Sequence, residues 1–379
     1  MRKSVIIVIL LILTVTNSCT SRQTYTEELI DGVRYVHNIE PLWGDKPEVV
    51  LGFIRKYGDL ETNDERYQLF HPSDAAVDEE GNVLILDAGN YKIKKFDREG
   101  NFLSYFGSKG SGPGELIGPS RMDICPGGEI LINDRAVRAV NIFDRNGNFI
   151  RRINNEGLSP DQILDLRSGE IAVFYKRTFH SEKDKEALSL VNILDKNGMI
   201  HREFVAPRIY EDPPTIFWCN SIWITGDDLD NIYVDFESQN RIEKYSPNGR
   251  LLFKADRLLE YPETLVIEKK VTSYDRNGQP ELVALAFNIF TTGIQIDSEG
   301  RIWSGTLKKQ RDPEDKQERK EGGKPENYMF EIFDENGILL GRLQTDFYLG
   351  QHFRIIGDRL FLIDRDREMA VFEYRIIEK

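Results

Sequence analysis

The sequence predicts an all-β fold: a six-bladed β-propeller of four-stranded antiparallel blades, its ring closed by an N-terminal strand. Three observations predict it. A hairpin turn of fixed form recurs along the chain. A second turn signal precedes a short apolar run six times. One copy of the unit, His71–Gly107 (HPSDAAVDEEGNVLILDAGNYKIKKFDREGNFLSYFG), divides into four short strands at Glu80-Gly81-Asn82, Ala88-Gly89-Asn90 and Arg98-Glu99-Gly100-Asn101.

The first turn runs apolar, acidic or small, two polar residues, Gly. It reads Phe96-Asp97-Arg98-Glu99-Gly100, Phe143-Asp144-Arg145-Asn146-Gly147, Leu194-Asp195-Lys196-Asn197-Gly198, Tyr245-Ser246-Pro247-Asn248-Gly249 and Phe333-Asp334-Glu335-Asn336-Gly337. Asn-Gly between apolar runs is a strong hairpin signal because both residues tolerate positive φ, and the Asp side chain can accept from the backbone two residues on. Successive copies lie 47, 51, 51 and 88 residues apart. The second signal introduces the runs Val83–Leu86, Ile130–Ile132, Ile171–Phe174, Ile232–Val234, Ile302–Trp303 and Leu360–Ile363, one per blade.

The last blade has three strands of its own before the chain ends. Val49–Gly58 resembles the outer strand Asn101–Gly107 and supplies the fourth, which removes the free sheet edge that an open ring would leave. The 88-residue gap holds an inserted hairpin at about 265–285, marked by Tyr274-Asp275-Arg276-Asn277-Gly278, and a polar stretch at about 308–327 that reads as a solvated loop. The propeller therefore covers 47–379, and 19–46 is an N-terminal extension or tether.

The start of the chain carries a targeting signal. Met1-Arg2-Lys3 is basic, Val5–Val15 is apolar and too short to span a bilayer, and Ser18 precedes Cys19. Residues 1–18 thus read as a lipoprotein signal peptide, with Cys19 as the lipid attachment site and a cell-envelope location for the mature chain. Cys125 and Cys219 fall two blades apart, too far for a disulfide, and read as small buried residues of inner strands. Net charge is −13, and becomes −15 once Arg2 and Lys3 leave with the signal. That balance excludes the basic footprint of a nucleic-acid binder and disfavours docking on an anionic membrane beyond the lipid itself.

The copy at His71–Gly107, with the Ser108–Leu116 segment after it, resembles the NHL-repeat propellers. The chain from about residue 19 to 379 is similar to the six-bladed β-propeller lipoproteins of Bacteroidetes. The resemblance implies the fold and an envelope location. It implies no activity, so no catalytic residue comes over with it. The Gly-rich Gly107–Gly114 lacks the Lys-Ser/Thr ending of a phosphate-binding loop and reads as an inter-blade connection.

Propeller ligands meet one mouth of the central channel, at the starts of the innermost strands. The residues placed there by the repeat are His71, Asp74, Arg121, Asn220 and His352. Arg121 stands out, because a cation at that position in an acidic chain can hold a carboxylate or phosphate with two parallel hydrogen bonds. A pairing of Arg121 with Asp74 or Asp123 is the structural alternative. Only His71 and His352 of the five histidines sit at mouth positions, fewer than the three protein ligands of a catalytic zinc site, so no metal and no cofactor is assigned. Phe217-Trp218 and Phe347-Tyr348 are aromatics able to stack on a sugar, although aromatics between blades more often belong to the core. The expected function is a lipid-anchored module that binds a glycan, a peptide or another envelope protein. The rival is an envelope hydrolase or lyase using a divalent metal in the channel.

Overall fold

A computed structural model describes residues 23–154, 160–175, 189–210, 213–261, 263, 268–274, 280–286, 288–310, 324–349 and 352–379. Cys19 and residues 311–323 of the predicted solvated loop lie outside them. Six four-stranded antiparallel units follow one another, and their first strands touch in sequence around a closed ring. Those innermost strands are Pro72–Val77, Pro119–Ile124, Pro160–Asp165, Ile222–Gly226, Thr291–Ile296 and Phe353–Ile356, for blades 1 to 6. Blade 6 takes its outer strand, Val49–Tyr57, from the N-terminal side, where it runs antiparallel to Ala370–Glu378. The sequence prediction of fold and closure holds.

Each blade buries both of its faces, which explains why its second strand is an unbroken apolar run rather than an alternating one. In Val83–Asp87 the alternation still operates, but between two seams. Val83 and Ile85 pack with Phe361 and Val371 of blade 6, whereas Leu84 and Leu86 pack with Met122 and Ile132 of blade 2. The same division gives six apolar clusters, one at each junction between neighbouring blades. Full burial of one such side chain contributes roughly 1.5–3 kcal/mol.

The turns hold as their chemistry predicts. Oδ1 of Asp97 accepts the backbone N–H of Glu99 and Asn101 at 3.0 and 2.7 Å. Asp144, Asp195 and Asp334 repeat the pattern. The glycine that follows takes φ near +80°, as Gly147 does at +83°.

Polar side chains stitch the inner strands together. Asp74 accepts from Met122 N–H at 3.0 Å, Asp123 from Asp165 N–H at 2.9 Å, and Gln162 from Ile224 N–H at 2.9 Å. Each bond carries a side chain of one blade onto the backbone of the next.

Within 19–46, Tyr25–Ile30 and Val33–Asn38 form a hairpin. Its second strand adds in parallel to Leu251–Arg257, so blade 4 becomes a six-stranded sheet. Asn38 latches the hairpin to blade 5 by donating to Gly337 O and accepting from Leu339 N–H. In the inserted segment, Glu268–Tyr274 and Pro280–Ala286 pair antiparallel. Gly107–Gly114 is the connection from blade 1 to blade 2, where Ser108–Lys109 pairs with Glu115–Leu116. Cys219 ends a short helix, Pro213–Cys219, and Cys125 sits in the turn after an inner strand. Both are free thiols, and the expectation that they belong to inner strands fails for each; Cys219 is buried, whereas Cys125 is only partly so. No helix among the described residues is long and apolar enough to cross a membrane.

Candidate functional site

The mouth is built by a repeated irregularity. In blades 1 to 3 the inner strand opens with a proline, and the pairing register slips by one residue just after it: between Pro72 and Asp74, Pro119 and Arg121, and Pro160 and Gln162. Proline has no N–H to give the ladder, and the extra residue re-aims the side chains that follow. Ser73 is the extra residue in blade 1. Asp74 and Arg121 are the first paired residues after the slip in their blades, which is why one repeat position converges on the channel.

At this end lies a cavity of about 300 Å³, lined among others by Ser73, Arg121, Trp223, Glu237, Thr292 and His352. The Arg121 guanidinium lies 5.5 Å from the centre of the Trp223 ring and donates to Ser73 O at 3.3 Å. Trp223 stacks on His352 with ring centres 5.8 Å apart and planes 14° from parallel. Beneath them Asp74 is fully buried. Its Oδ1 lies 3.3 Å from His352 Nε2 and 3.7 Å from Arg354 Nε, and it also accepts the Ala75 N–H. Arg354 spans onward to Asp123 at 2.9 Å. A column of alternating charge thus runs down the channel.

Burial alone would raise the Asp74 carboxyl, but Arg354, His352 and Arg121 outweigh it and hold the group well below the usual carboxylate range. Burial and the Arg121 charge pull His352 down to about 4, against the opposing field of Asp74, so its imidazole is neutral at pH 7. Burial also lowers the Arg121 guanidinium from its ordinary value, and Asp74 only partly offsets that. No carboxylate among the described residues comes within 4.0 Å of Arg121. The pairing with Asp74 or Asp123 that the sequence allowed is made by Arg354 instead. Ser73 Oγ and His352 Nδ1 are buried without a hydrogen-bond partner among the described residues.

The five predicted residues therefore separate. Arg121 and His352 line the cavity, and Asp74 supports them from below. His71 stays at the rim, 3.6 Å from Asp366 of the cavity wall, in a left-handed conformation with φ +49°. Asn220 is not brought to the mouth. It is buried, bonded to both the N–H and C=O of Arg208, to Ile216 O and to Gln239, so it anchors the approach to blade 4. The aromatics that line the cavity are Trp223 and the buried Tyr328. Phe347 and Tyr348 pack against Phe330, Tyr374 and Tyr328 in the seam, and Trp218 is half exposed on the short helix. The Phe217 side chain lies outside the described residues. Trp223 and Ser73 carried a signal in the sequence, since both sit at the start of an inner strand, but only the register slip distinguishes Ser73.

The opposite mouth is a wider cavity of about 420 Å³ with an acidic lining that includes Asp123, Asp165, Asp227 and Asp230. Burial, with Asp123 and Asp230 nearby, raises Asp165 to about 7, although the Cys125 thiol donates to it. No group of three or more His, Cys, Asp or Glu side chains is arranged to hold a metal ion among the described residues. At the Arg121 mouth, Arg121 and Arg354 flank the only lining imidazole named above, and their charge opposes a cation there.

No family model matches the chain. Among curated proteins, 57 residues, 15% of this chain, are 33% identical to protein brain tumor of Drosophila melanogaster and span 6% of that protein's length. Two of the solved structures that share the architecture are from Bacteroides species. One is a DUF4221 family member from Bacteroides vulgatus, with TM-score 0.58, 10% identity, and coverage of 88% of this chain and 99% of that one. The other is from Bacteroides fragilis and described as a candidate exported protein, with TM-score 0.58, 14% identity, and coverage of 91% and 99%. At such identities the likeness speaks for the fold. The chain is a six-bladed propeller of the kind found in these Bacteroides proteins.

Proposed function

We propose that the chain is a lipid-anchored propeller of the cell envelope that binds a small carboxylate at the Arg121 mouth. The observation that supports this reading is the partly buried Arg121 guanidinium, which lines the cavity with no carboxylate within 4.0 Å among the described residues. Holding a guanidinium partly out of water, with its nearest counter-charge, Asp74, beyond 4.0 Å, is costly, and an anionic ligand offsets that cost with two parallel charge-assisted hydrogen bonds. Ser73 Oγ and His352 Nδ1 offer two further polar contacts, and Trp223 presents an apolar wall. A cavity of about 300 Å³ suits a sugar acid or the C-terminal residue of a peptide. The column beneath holds these groups in place, which makes this a preorganised binding site. The envelope location rests on the Cys19 signal and on the exported description of one structural neighbour.

A thermal-shift screen of uronic acids and dipeptides tests the site. The Arg121→Ala protein should lose the shift while its melting temperature without ligand stays nearly the same. An undiminished ligand response in that variant would sink the assignment. Intact mass of the membrane fraction tests the anchor: Cys19 should begin the mature chain and carry diacylglycerol. A Cys19→Ala protein still wholly membrane-bound would refute the anchor.

A further inference from the structure

In a chain of net charge −13, a cavity of about 250 Å³ between blades 6 and 1 is lined by four arginines, Arg55, Arg98, Arg359 and Arg375. One carboxylate, Glu373, shares the lining. Glu373 is buried and already engaged: its Oε1 accepts from Arg359 Nε at 2.7 Å, and its Oε2 accepts the Tyr57 hydroxyl at 2.8 Å and lies 3.4 Å from Arg55 Nε. Its single charge balances one guanidinium. Arg98 Nε is held by a neutral partner, Glu80 O, at 2.6 Å. Arg375 reaches Asp358 on the rim at 3.3 Å, but both side chains are more than half exposed, and such a pair neutralises little.

Two further features concentrate charge here. Arg359 and Arg375 stand directly opposite one another on paired strands, an arrangement that destabilises a sheet when the charges are alike and uncompensated. Gly81 allows the guanidiniums to close over its turn: Arg359 Nη1 donates to Gly81 O at 3.2 Å, and a Cβ on Gly81 would stand 2.4 Å from Arg98 Nε. The four side chains come from four separate elements, the ring-closing strand, a turn of blade 1 and two strands of blade 6. They therefore approach one volume from different directions.

We propose that this seam binds a tetrahedral oxyanion, the phosphate monoester group of a sugar or of a lipid headgroup. A dianion with three terminal oxygens can accept from several convergent guanidiniums at once, which a carboxylate with two oxygens matches less well. The site is distinct from the Arg121 mouth and does not depend on it.

Titration calorimetry on the full chain at physiological salt tests the proposal with two probes, glucose 6-phosphate and phosphatidylcholine vesicles containing phosphatidic acid. The sugar phosphate binding in solution assigns a soluble or glycan-borne ester, and binding to the vesicles alone assigns a lipid-borne one. In either case the Arg98→Gln/Arg375→Gln protein should bind about tenfold or more weakly, with its melting temperature retained because both side chains are exposed. Arg121→Ala should bind the probe as well as the parent does. Failure of both probes to bind, equal binding by the double variant, or loss of binding in Arg121→Ala would each overturn the site. The last outcome would place the ester in the channel mouth.

Discussion

Replacing Asp74 by Asn should destabilise the ring more than any other isosteric change at the mouth. The carboxylate is fully buried, accepts two backbone N–H groups through its two oxygens, and faces His352 and Arg354. Asparagine keeps the volume, so no cavity forms. Its amide has only one oxygen, so an NH₂ must oppose either the Ala75 or the Met122 N–H. The negative charge that Arg354 and Arg121 face is lost as well. Removing one partner of a buried ion pair costs about 3–5 kcal/mol. With an unfolding entropy of about 2.1 cal/mol/K per residue, a ring of roughly 330 residues should melt about 4–7 °C lower. The pH dependence identifies the cause. The folded carboxyl lies below its ordinary value of 3.8, so its stabilisation is complete above that value and is lost as pH falls through the folded one. The gap between parent and variant, read by denaturant titration, should hold from pH 5 to 8 and close only in stronger acid. A variant within about 1 kcal/mol of the parent at pH 7 would refute the charged column as a structural support.

Deleting residues 47–58 removes the strand that pairs with Ala370–Glu378, along with the buried Val49 and Tyr57. Size-exclusion chromatography should show aggregates formed through the exposed edge, and a monomeric, cooperatively melting product would disprove the closure. Asp165→Asn probes the acidic mouth. The folded Asp165 carboxyl is raised to about 7, so it favours folding below its unfolded value and loses that contribution as pH rises through 7. The parent should therefore lose roughly 1–2 kcal/mol between pH 5 and 8 relative to the Asn variant, a figure discounted for the partial exposure of the group. His352 works in the opposite sense, costing stability as pH falls from 6.5 towards 4, so only the comparison of the two proteins isolates Asp165. Parallel pH profiles would count against the raised carboxyl.

The blades were legible in the chain because their determinants are local. Asp97-Arg98-Glu99-Gly100-Asn101 contains its own turn: the side-chain acceptor, the donors two and four residues on, and the residue that accepts positive φ. Val83–Leu86 and its counterparts announce burial on both faces by being apolar throughout. Even the closing strand could be recognised, because Val49–Gly58 repeats the outer-strand pattern of blade 1. Repetition also located Arg121 and His352 at the mouth, since equivalent positions of a ring must face one axis.

Pairing of charges was decided by the tertiary structure alone. Asp74, Asp123, Arg121 and Arg354 are all visible as residues, but the sequence does not say that Arg354 takes both carboxylates and leaves Arg121 without one. That outcome depends on side-chain reach across a channel whose walls come from blades distant in sequence. Asn220 shares a position before an inner strand with the mouth residues, yet the short helix ahead of it turns its amide into the backbone of Arg208 and Ile216. The hairpin Tyr25–Asn38 finds its place only because blade 4 presents a free edge beside it. The arginine seam arises where Arg55 from the start of the ring meets Arg359 and Arg375 from its end, a meeting that exists only once the ring has closed. Turns and strands follow from neighbours in the chain, whereas charge balance in a closed ring follows from which distant side chains share the same low-dielectric space.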